Sequence, residues 1–414
     1  MRFLLAILPL TLGAPAEENW PRFRGHKGSG LSSIKLPTKL SKDTLIWSAK
    51  LPGSGSSSPV IWGKKVFLTT ENRDRQSVSL VCLNTISGKL LWERPLKVGA
   101  YRLHRFNNTA ASTPALSGER VVIPWYDGVA KIAKLTAFDH EGKKQWDKNL
   151  GSFQSQHGFC LNPVIHEDAV VVASLHMGEG SVTSLSLADG KTNWKNTYDG
   201  GGKKTSYITP LILSGSRGKE VVLASHSHGV WALDAKTGKE IWSLPESMNH
   251  RTIVSPFNLL PGKGEEKLIG AGCKNGTYIA VRPPRKVGEK AAISWRMEGK
   301  TPYVPTPVSS GGIFYSLSDG GDLFAIEAGS GKTLWTKNLR ANFYASPLMA
   351  QNMLYALTRE GELIIANLDK GYTEISRNPL SPSPGIRHTD ATPAIARDRL
   401  FLRVGDRLDC HGSK

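Results

Sequence analysis

Several short polar segments of the chain combine histidine, arginine and asparagine, residue types suited to binding an anionic or polyhydroxylated ligand. Guanidinium groups make charge-assisted hydrogen bonds to anions, so Arg251 and Arg387 are predicted to bind and position the charged group of the ligand. Loops are also polar because they are solvated, and this alternative stays open for each position. The predicted ligand-binding residues are Asn108, His157, His250, Arg251, Asn342, Tyr344, Arg387, His388 and Asp390.

A second group of histidines has spacing that suits metal ligands. Along a strand, the alternation of Ser225-His226-Ser227-His228 puts both imidazoles on one face, and His176 comes from the corresponding loop of the neighbouring repeat. Three imidazoles suit zinc or copper. The alternative is that His226 and His228 are exposed loop histidines.

Other kinds of site have weaker support. Residues 25–30 are glycine-rich, but no predicted strand precedes them and no helix follows, as a phosphate-binding loop requires. No Ser/His/Asp spacing indicates a nucleophilic site. The four cysteines, Cys82, Cys160, Cys273 and Cys410, match no C-x-x-C spacing. We expect small buried thiols, with the oxidation of one pair left open for an exported chain.

Two interleaved markers repeat along the chain and indicate the scaffold that positions these residues. A Ser/Thr/Asn-Pro dipeptide followed by an apolar run recurs eight times at intervals of 40–55 residues, and tryptophan recurs seven times with a similar period. This period suits four short strands per unit, and no segment has a helical period. The sequence therefore predicts an all-β, eight-bladed propeller of four-stranded blades. The prolines are Pro59, Pro114, Pro163, Pro210, Pro256, Pro307, Pro347 and Pro393, and the tryptophans are Trp47, Trp92, Trp146, Trp194, Trp242, Trp295 and Trp335.

The two ends of the chain predict how the ring closes. After Pro393 there is room for only three strands, and an unpaired tryptophan strand, Leu45-Ile46-Trp47, precedes the first repeated proline. We expect this N-terminal strand to complete the eighth blade and cover its edge. Loops that enter the inner strands then share one rim with loops between the second and third strands. Seven of the eleven histidines fall in these loops, around the predicted funnel mouth.

The first residues indicate export. Residues 1–16 have Arg2, a short apolar stretch and Ala14-Pro15-Ala16 before the predicted cleavage point, as in a secretion signal. No cysteine stands near that point, so a lipid anchor is not predicted, and no later apolar run is long enough for a transmembrane segment. The predicted organisation is a signal peptide over 1–16, an N-terminal segment packing on the propeller over 17–43 and the propeller over 44–414. The expected location is periplasmic or secreted.

The formal net charge of +18 favours anionic partners. Export argues against nucleic acid, which leaves an envelope protein or an anionic polysaccharide, with peripheral membrane association left open. Much of the charge falls on predicted turns, such as Lys64-Lys65 and Lys143-Lys144, where solvation is the simpler interpretation.

The Gly-Lys-x-x-Trp outer strand, the Ser/Thr-Pro inner strand and their eightfold recurrence resemble the pyrroloquinoline quinone (PQQ)-like repeat propellers, over roughly residues 20–414. The segment Trp20-Pro21-Arg22-Phe23-Arg24-Gly25 is similar to the leader of secreted bacterial members. The resemblance implies one of three roles: a quinone-dependent dehydrogenase, a propeller of the outer-membrane β-barrel assembly machine, or a member without known activity. The dehydrogenases of this family have a disulfide between adjacent cysteines and a calcium held by Glu and Asn, and this chain has no adjacent cysteines.

Together these observations favour an exported, non-catalytic scaffold that binds a protein or an anionic envelope polymer through its funnel rim. No cofactor is expected for this function. The alternative is a periplasmic oxidoreductase that uses PQQ with calcium, or zinc or copper at the three histidines.

Overall fold

The computed structural model describes residues 18–101, 103–215, 218–260, 262, 266–274, 276–286, 288–299, 302–386 and 388–413. This part of the chain contains β-strands, turns and one 3-10 turn, η1 (His26–Gly28). None of its helices is long and apolar enough to cross a membrane. The predicted signal peptide and Arg387 lie outside the described residues.

Two short strands, β1 (Leu31–Ser32) and β2 (Leu45–Lys50), precede the repeats. Blades 1 and 2 contain β3 (Val60–Trp62), β4 (Lys65–Asn72), β5 (Ser77–Asn84), β6 (Leu90–Lys97), β7 (Ala115–Leu116), β8 (Val121–Asp127), β9 (Ile132–Phe138) and β10 (Lys144–Ser152). Blades 3 and 4 contain β11 (Val164–His166), β12 (Ala169–Ser174), β13 (Glu179–Ser186), β14 (Thr192–Asp199), β15 (Leu211–Gly215), β16 (Gly218–Ser225), β17 (Gly229–Asp234) and β18 (Glu240–Leu244).

Blades 5 and 6 contain β19 (Phe257–Leu259), β20 (Leu268–Cys273), β21 (Thr277–Arg282), β22 (Ala292–Met297), β23 (Val308–Ser310), β24 (Ile313–Leu317), β25 (Asp322–Glu327) and β26 (Thr333–Asn338). Blade 7 contains β27 (Leu348–Ala350), β28 (Met353–Leu357), β29 (Glu362–Asn367) and β30 (Thr373–Pro379), and blade 8 contains β31 (Ala394–Ala396), β32 (Arg399–Val404) and β33 (Arg407–Gly412).

The eight sheets confirm the predicted propeller and its closure. Within each blade the strands follow one another as an antiparallel meander. Blade 8 takes its fourth strand from the N-terminal side of the chain, because β2 pairs antiparallel with β33 and places Trp47 opposite Cys410. Strand β2 thus completes the last sheet and covers its outer edge.

The segment between the described N-terminus and β2 crosses the ring. Trp20 pairs through its backbone with Ile61 of β3, and the carbonyl oxygen of Pro21 accepts a 2.7 Å hydrogen bond from the N–H of Leu116 in β7. The guanidinium of Arg24 donates to carbonyl oxygens at the start of blades 6 and 7. Strand β1 then runs parallel to β27 as a fifth strand of blade 7. The segment therefore links blades on opposite sides of the central axis.

The repeated prolines have one structural position. Each stands immediately before the inner strand of its blade, where a missing N–H costs no ladder hydrogen bond. The residue before each proline belongs to a closed circle of eight hydrogen bonds of 2.8–3.1 Å that runs from blade to blade. In seven of these bonds a backbone N–H donates to a side-chain oxygen of the next blade, and in the eighth Asn162 donates through Nδ2. We call these residues the belt: Ser58, Thr113, Asn162, Thr209, Ser255, Thr306, Ser346 and Thr392.

The belt gives a physical reason for the Ser/Thr/Asn-Pro dipeptide. A backbone N–H buried near the axis needs an acceptor, and a short polar side chain on the neighbouring blade supplies it. The last bond joins the N–H of Thr392 in blade 8 to the hydroxyl of Ser58 in blade 1 at 3.1 Å. The circle is therefore continuous across the seam of the ring.

The repeated tryptophans join the blades at their outer strands. Five of them lie against a glycine of the next blade's turn, where an added Cβ would come within 2.6–2.9 Å of the indole ring. The same five donate Nε1–H to a carbonyl oxygen of that turn at 2.9–3.2 Å. The pairs are Trp47–Gly88, Trp92–Gly142, Trp146–Gly190, Trp194–Gly238 and Trp295–Gly331. Glycine permits both the positive φ of the turn and the close approach of the ring.

Trp242 and Trp335 do not pack against a glycine in this way, and for Trp242 the reason lies in the sequence of blade 5. Its turn before the outer strand is replaced by a longer Pro-containing loop, so Trp242 has no equivalent glycine to pack against. Trp242 instead donates its Nε1–H to the buried Oε2 of Glu220 at 3.1 Å, within its own blade. The four cysteines are free thiols, three buried and Cys160 partly buried.

Candidate functional site

A blind pocket lies on the axis of the ring, on the face where the chain enters the inner strands. Its volume is about 230 Å³, and seven of the eight belt residues contribute to its wall. Phe23 of the N-terminal segment also lines the pocket, while its neighbours Trp20 and Arg24 are buried against the inner strands. The N-terminal segment thus closes the far end of the pocket. We call this whole axial pocket the funnel.

Loops from several blades surround the funnel mouth. The loop between β6 and β7 reaches across it, because Phe106 lies 5.4 Å from the ring of His388 and 6.3 Å from that of Tyr344. The imidazole of His104 in the same loop lies 4.5 Å from that of His157, measured between ring centroids. Residues from blades far apart in the ring therefore meet over one opening.

Two arginines stack on the aromatic rings at the mouth. The guanidinium of Arg359 lies 3.7 Å from the ring centroid of Tyr344 and 4.7 Å from that of Phe106, and Arg105 lies 4.6 Å from the ring of Phe106. Arg359 also forms a two-bond ion pair with Asp390, at 2.9 and 3.2 Å. Burial raises the pKa of Asp390, and the guanidinium opposes that shift. Arg359 is thus compensated, whereas Arg105 is exposed.

Arg251 is a buried cation behind the funnel wall. It does not line the pocket itself, but its partner Tyr303 does, and its hydrogen-bond partners are neutral. Its Nη1 donates to the hydroxyl of Tyr303 and its Nη2 to Oε1 of Gln156, each at 2.7 Å. Its Nε is buried and has no hydrogen-bond partner among the described residues. The side chain is 4% exposed. A buried charge is ordinarily paired, so this guanidinium has unused capacity for an anion.

The cations at the mouth affect neighbouring titratable groups. Burial, followed by the charges of Arg251, His104, Lys274 and Lys204, lowers the pKa of His157 to about 4. The histidine is therefore uncharged near neutral pH. Burial raises the pKa of Asp319 to about 6, although the N–H groups of Tyr303 and Val304 hydrogen-bond to its carboxylate.

The structure brings only some of the predicted ligand residues to the funnel. His157, Tyr344 and Asp390 line it. Asn108 and His388 instead line a neighbouring cleft of about 660 Å³ that includes Glu71 and Arg73. Arg387 lies outside the described residues.

Three predicted residues have their polar atoms engaged beside the funnel rather than in its wall. Asn342 is exposed and donates to Oε1 of Glu360 at 3.0 Å. Nδ1 of His250 accepts the backbone N–H of Arg251 at 2.7 Å, and its ring stacks on that of His226 with centroids 6.2 Å apart. Asn108 likewise makes local bonds, donating to the hydroxyl of Ser56 at 2.8 Å.

The predicted metal ligands have separate surroundings. Strand β16 ends at Ser225, so His226 and His228 occupy a turn, and the strand alternation that was expected to align them does not apply. Nδ1 of His226 accepts the N–H of Lys204, His176 is buried beside Phe153, and His228 packs against Tyr198. The described parts of the chain contain no group of three or more His, Cys, Asp or Glu side chains arranged to hold a metal ion.

Phe106, Arg359 and Tyr303 are site residues that the sequence reasoning missed. Phe106 follows His104 in a loop already placed at the mouth, and its aromatic ring in a polar loop was the available signal. Arg359 lies between β28 and β29, in the same class of loop as His176. The loop-class argument from the sequence covers only histidines and therefore does not predict this arginine.

The fold and the funnel define an eight-bladed propeller closed by an N-terminal strand, with a blind axial pocket. A family model described as outer membrane protein assembly factor BamB matches residues 38–149, 131–284 and 286–407. These stretches cover most of the chain, which therefore belongs to this family of PQQ-like repeat propellers, as the sequence motifs indicated.

Individual relatives are distant. The outer membrane protein assembly factor BamB of Moranella endobia (strain PCIT) is 20% identical over 329 residues, which are 77% of this chain and 66% of that protein. BamB from Moraxella catarrhalis is 15% identical, with a TM-score of 0.61, over 89% of this chain and 99% of that one. Quinohemoprotein alcohol dehydrogenase from Comamonas testosteroni is 14% identical, with a TM-score of 0.68, over 96% and 80%. At such identities the structural likeness establishes the fold alone.

Proposed function

We propose that this protein is an exported, non-catalytic scaffold that binds an acidic group of an envelope partner, a protein or an anionic polymer, at the funnel mouth. Export rests on the signal-like sequence of residues 1–16. An envelope partner is supported by the family, whose model is described as an outer membrane protein assembly factor. The net charge of +18 favours an acidic surface on that partner.

The observation that carries the proposal is the state of Arg251. This guanidinium is 4% exposed and donates to two neutral acceptors, and its buried Nε has no hydrogen-bond partner in the part of the chain that the structure describes. Its hydrogen bonds therefore supply no counter-charge for its removal from water. An acidic group entering the mouth beside Tyr303, which lines the funnel and accepts a hydrogen bond from Arg251, would supply that charge. The exposed Arg105, stacked on Phe106, provides a second cation at the same opening.

The test measures binding of poly-L-glutamate and alginate, with neutral dextran as the uncharged probe. Arg251→Gln is expected to weaken binding of the acidic polymers by about tenfold, because a hydrogen bond to a charged group contributes about 1.5–3 kcal/mol. Arg105→Gln removes an exposed cation at the same opening. It therefore tests the contribution of this surface to binding without altering a buried side chain. Arg285→Gln is the matched control, because this arginine is exposed in the blade 5 loop and pairs with Glu266.

Equal binding by the wild type, Arg251→Gln and Arg105→Gln would overturn the proposal, as would equal binding of dextran. The oxidoreductase alternative is checked with the same preparation. After incubation with PQQ and calcium, dye-linked oxidation of alcohols or sugars would replace the scaffold function with a catalytic one.

A further inference from the structure

A second crevice lies on the opposite face from the funnel. It has a volume of about 510 Å³ and runs between the N-terminal segment and the ends of the inner strands of blades 3 to 6. The inner strands begin at the funnel, after the repeated prolines, and end at this crevice. Phe23 lines the funnel whereas the adjacent Arg22 lines the crevice, so the N-terminal segment separates the two cavities.

The charged groups that line this crevice are cationic. Lys27, Lys219 and Lys267 are exposed at its edge, and Arg22 lies within it. None of its described lining residues is acidic. The carboxylate of Glu167, which approaches the lining residue His166 to 3.4 Å, is itself 75% exposed. The crevice therefore has a positive electrostatic potential with little compensation.

Arg22 differs from the neighbouring Arg24 in how its guanidinium is satisfied. Both side chains are buried, and burial lowers the pKa of Arg22 to about 10 and that of Arg24 to about 9. Arg24 donates to five carbonyl oxygens. Arg22 has one long bond, from Nη1 to the carbonyl oxygen of Pro210 at 3.5 Å, and its buried Nε has no hydrogen-bond partner among the described residues.

The rest of the crevice wall is largely apolar. Leu31, Ile165, Ile212 and Leu213 are only partly buried and face the same cavity as Arg22. A free inorganic anion would satisfy the guanidinium but leave these side chains in contact with water. A ligand with an apolar chain attached to its anionic group would cover both.

We propose that this crevice binds a phosphate monoester carried on an apolar chain, with the phosphate at Arg22 and the lysines and the chain along Leu31, Ile212 and Leu213. Arginine presents a planar set of donors that matches phosphate oxygens, and the doubly charged group compensates more of the local positive charge than a carboxylate does. The site is separate from the funnel and does not depend on the function proposed for it.

The experiment is calorimetric titration of the full protein with octyl phosphate, with inorganic phosphate and 1-octanol as the two partial ligands. Octyl phosphate is expected to bind one to one and at least about tenfold more tightly than inorganic phosphate, because its chain removes apolar surface from water. The octanol arm is expected to show no saturable binding.

Substitutions distinguish binding at this crevice from nonspecific binding of an anion to a basic protein. Arg22→Gln is expected to weaken octyl phosphate binding by about tenfold or more. The double substitution Lys27→Ala, Lys267→Ala, which changes two exposed side chains, is expected to do the same. The matched control Lys89→Ala, Lys236→Ala removes two exposed lysines from outer turns and should leave affinity unchanged. No saturable binding, equal affinity for inorganic phosphate, or an unchanged affinity in the Lys27 and Lys267 variant would overturn the proposal.

Discussion

Replacement of Gly88 by alanine tests how neighbouring blades dock. Gly88 has φ +70°, and a Cβ there would lie 2.6 Å from Cε3 of Trp47, the tryptophan of the ring-closing strand. Carbon atoms pack at about 3.5–4.0 Å, so the indole must move by roughly 1 Å. That movement disturbs the 2.9 Å bond from its Nε1 to the carbonyl oxygen of Thr85.

The expected loss of stability has two components. An alanine in the left-handed region costs about 1–2 kcal/mol, and overpacking against the indole costs about 1–3 kcal/mol more. Gly202→Ala is the matched control, because Gly202 has φ +69° with no atom within 4 Å of an added Cβ. Urea unfolding should therefore give a free energy of unfolding that is lower in Gly88→Ala than in Gly202→Ala by about 1–3 kcal/mol.

A double-mutant cycle separates the indole contact from other effects at Gly88. If the alanine acts through the ring, the substitution should cost about 1–3 kcal/mol less in a Trp47→Leu background than in the wild type. Equal costs for Gly88→Ala and Gly202→Ala, together with no coupling to Trp47, would refute the docking argument. The blades would then be held together by the core and the belt without this contact.

The remaining predictions concern the funnel and the belt. Arg359→Gln should lower the free energy of unfolding by about 3–5 kcal/mol, because it leaves the buried carboxylate of Asp390 unpaired, whereas Arg285→Gln at an exposed pair should cost no more than about 1 kcal/mol; similar costs in urea unfolding would contradict this. The imidazole of His157 should titrate by NMR with a pKa near 4. Because the unfolded chain binds the proton first, the contribution of His157 to stability should fall as pH decreases from about 6.5 towards 4, and an NMR midpoint near 6.5 would be inconsistent with the described surroundings. Thr392→Val should cost about 1–3 kcal/mol by leaving a belt N–H without its acceptor, and a loss within error of zero in urea unfolding would show that the belt does not need a continuous circle.

The candidate site was only partly predictable from the sequence. The structure places His157, Tyr344 and Asp390, whose role in ligand binding stays a prediction, in the funnel wall, because the repeat determines where each loop emerges. Loop class did not determine which polar atoms remain available. Asn342 makes a side-chain bond to a nearby glutamate, and Arg251 is held by residues of two other blades. Side-chain direction and partners depend on packing between blades, which the order of residues along one loop does not reveal.

The sequence alone determined the number of blades, their four-strand pattern and the insertion of the N-terminal strand β2 into the last sheet. Local signals recur along the chain: a proline immediately before the inner strand of all eight blades, an outer tryptophan in seven of them, and a glycine turn before most outer strands. Each of these signals lies within a few consecutive residues, so the repeat can be recognised without knowing which blades contact one another.

Only the tertiary structure determined the hydrogen bonds of the belt and the route of the N-terminal segment. It also determined the different surroundings of the two buried arginines, Arg22 and Arg24. The belt exists only when each Ser, Thr or Asn meets the N–H of another blade, 40–55 residues away in the chain for adjacent repeats. Arg22 and Arg24 are two residues apart in sequence, yet Arg24 reaches carbonyl oxygens of blades 6 and 7 while Arg22 borders a cationic crevice. Such differences arise from long-range contacts, because burial and hydrogen-bond partners are set by the segments that fold against a residue.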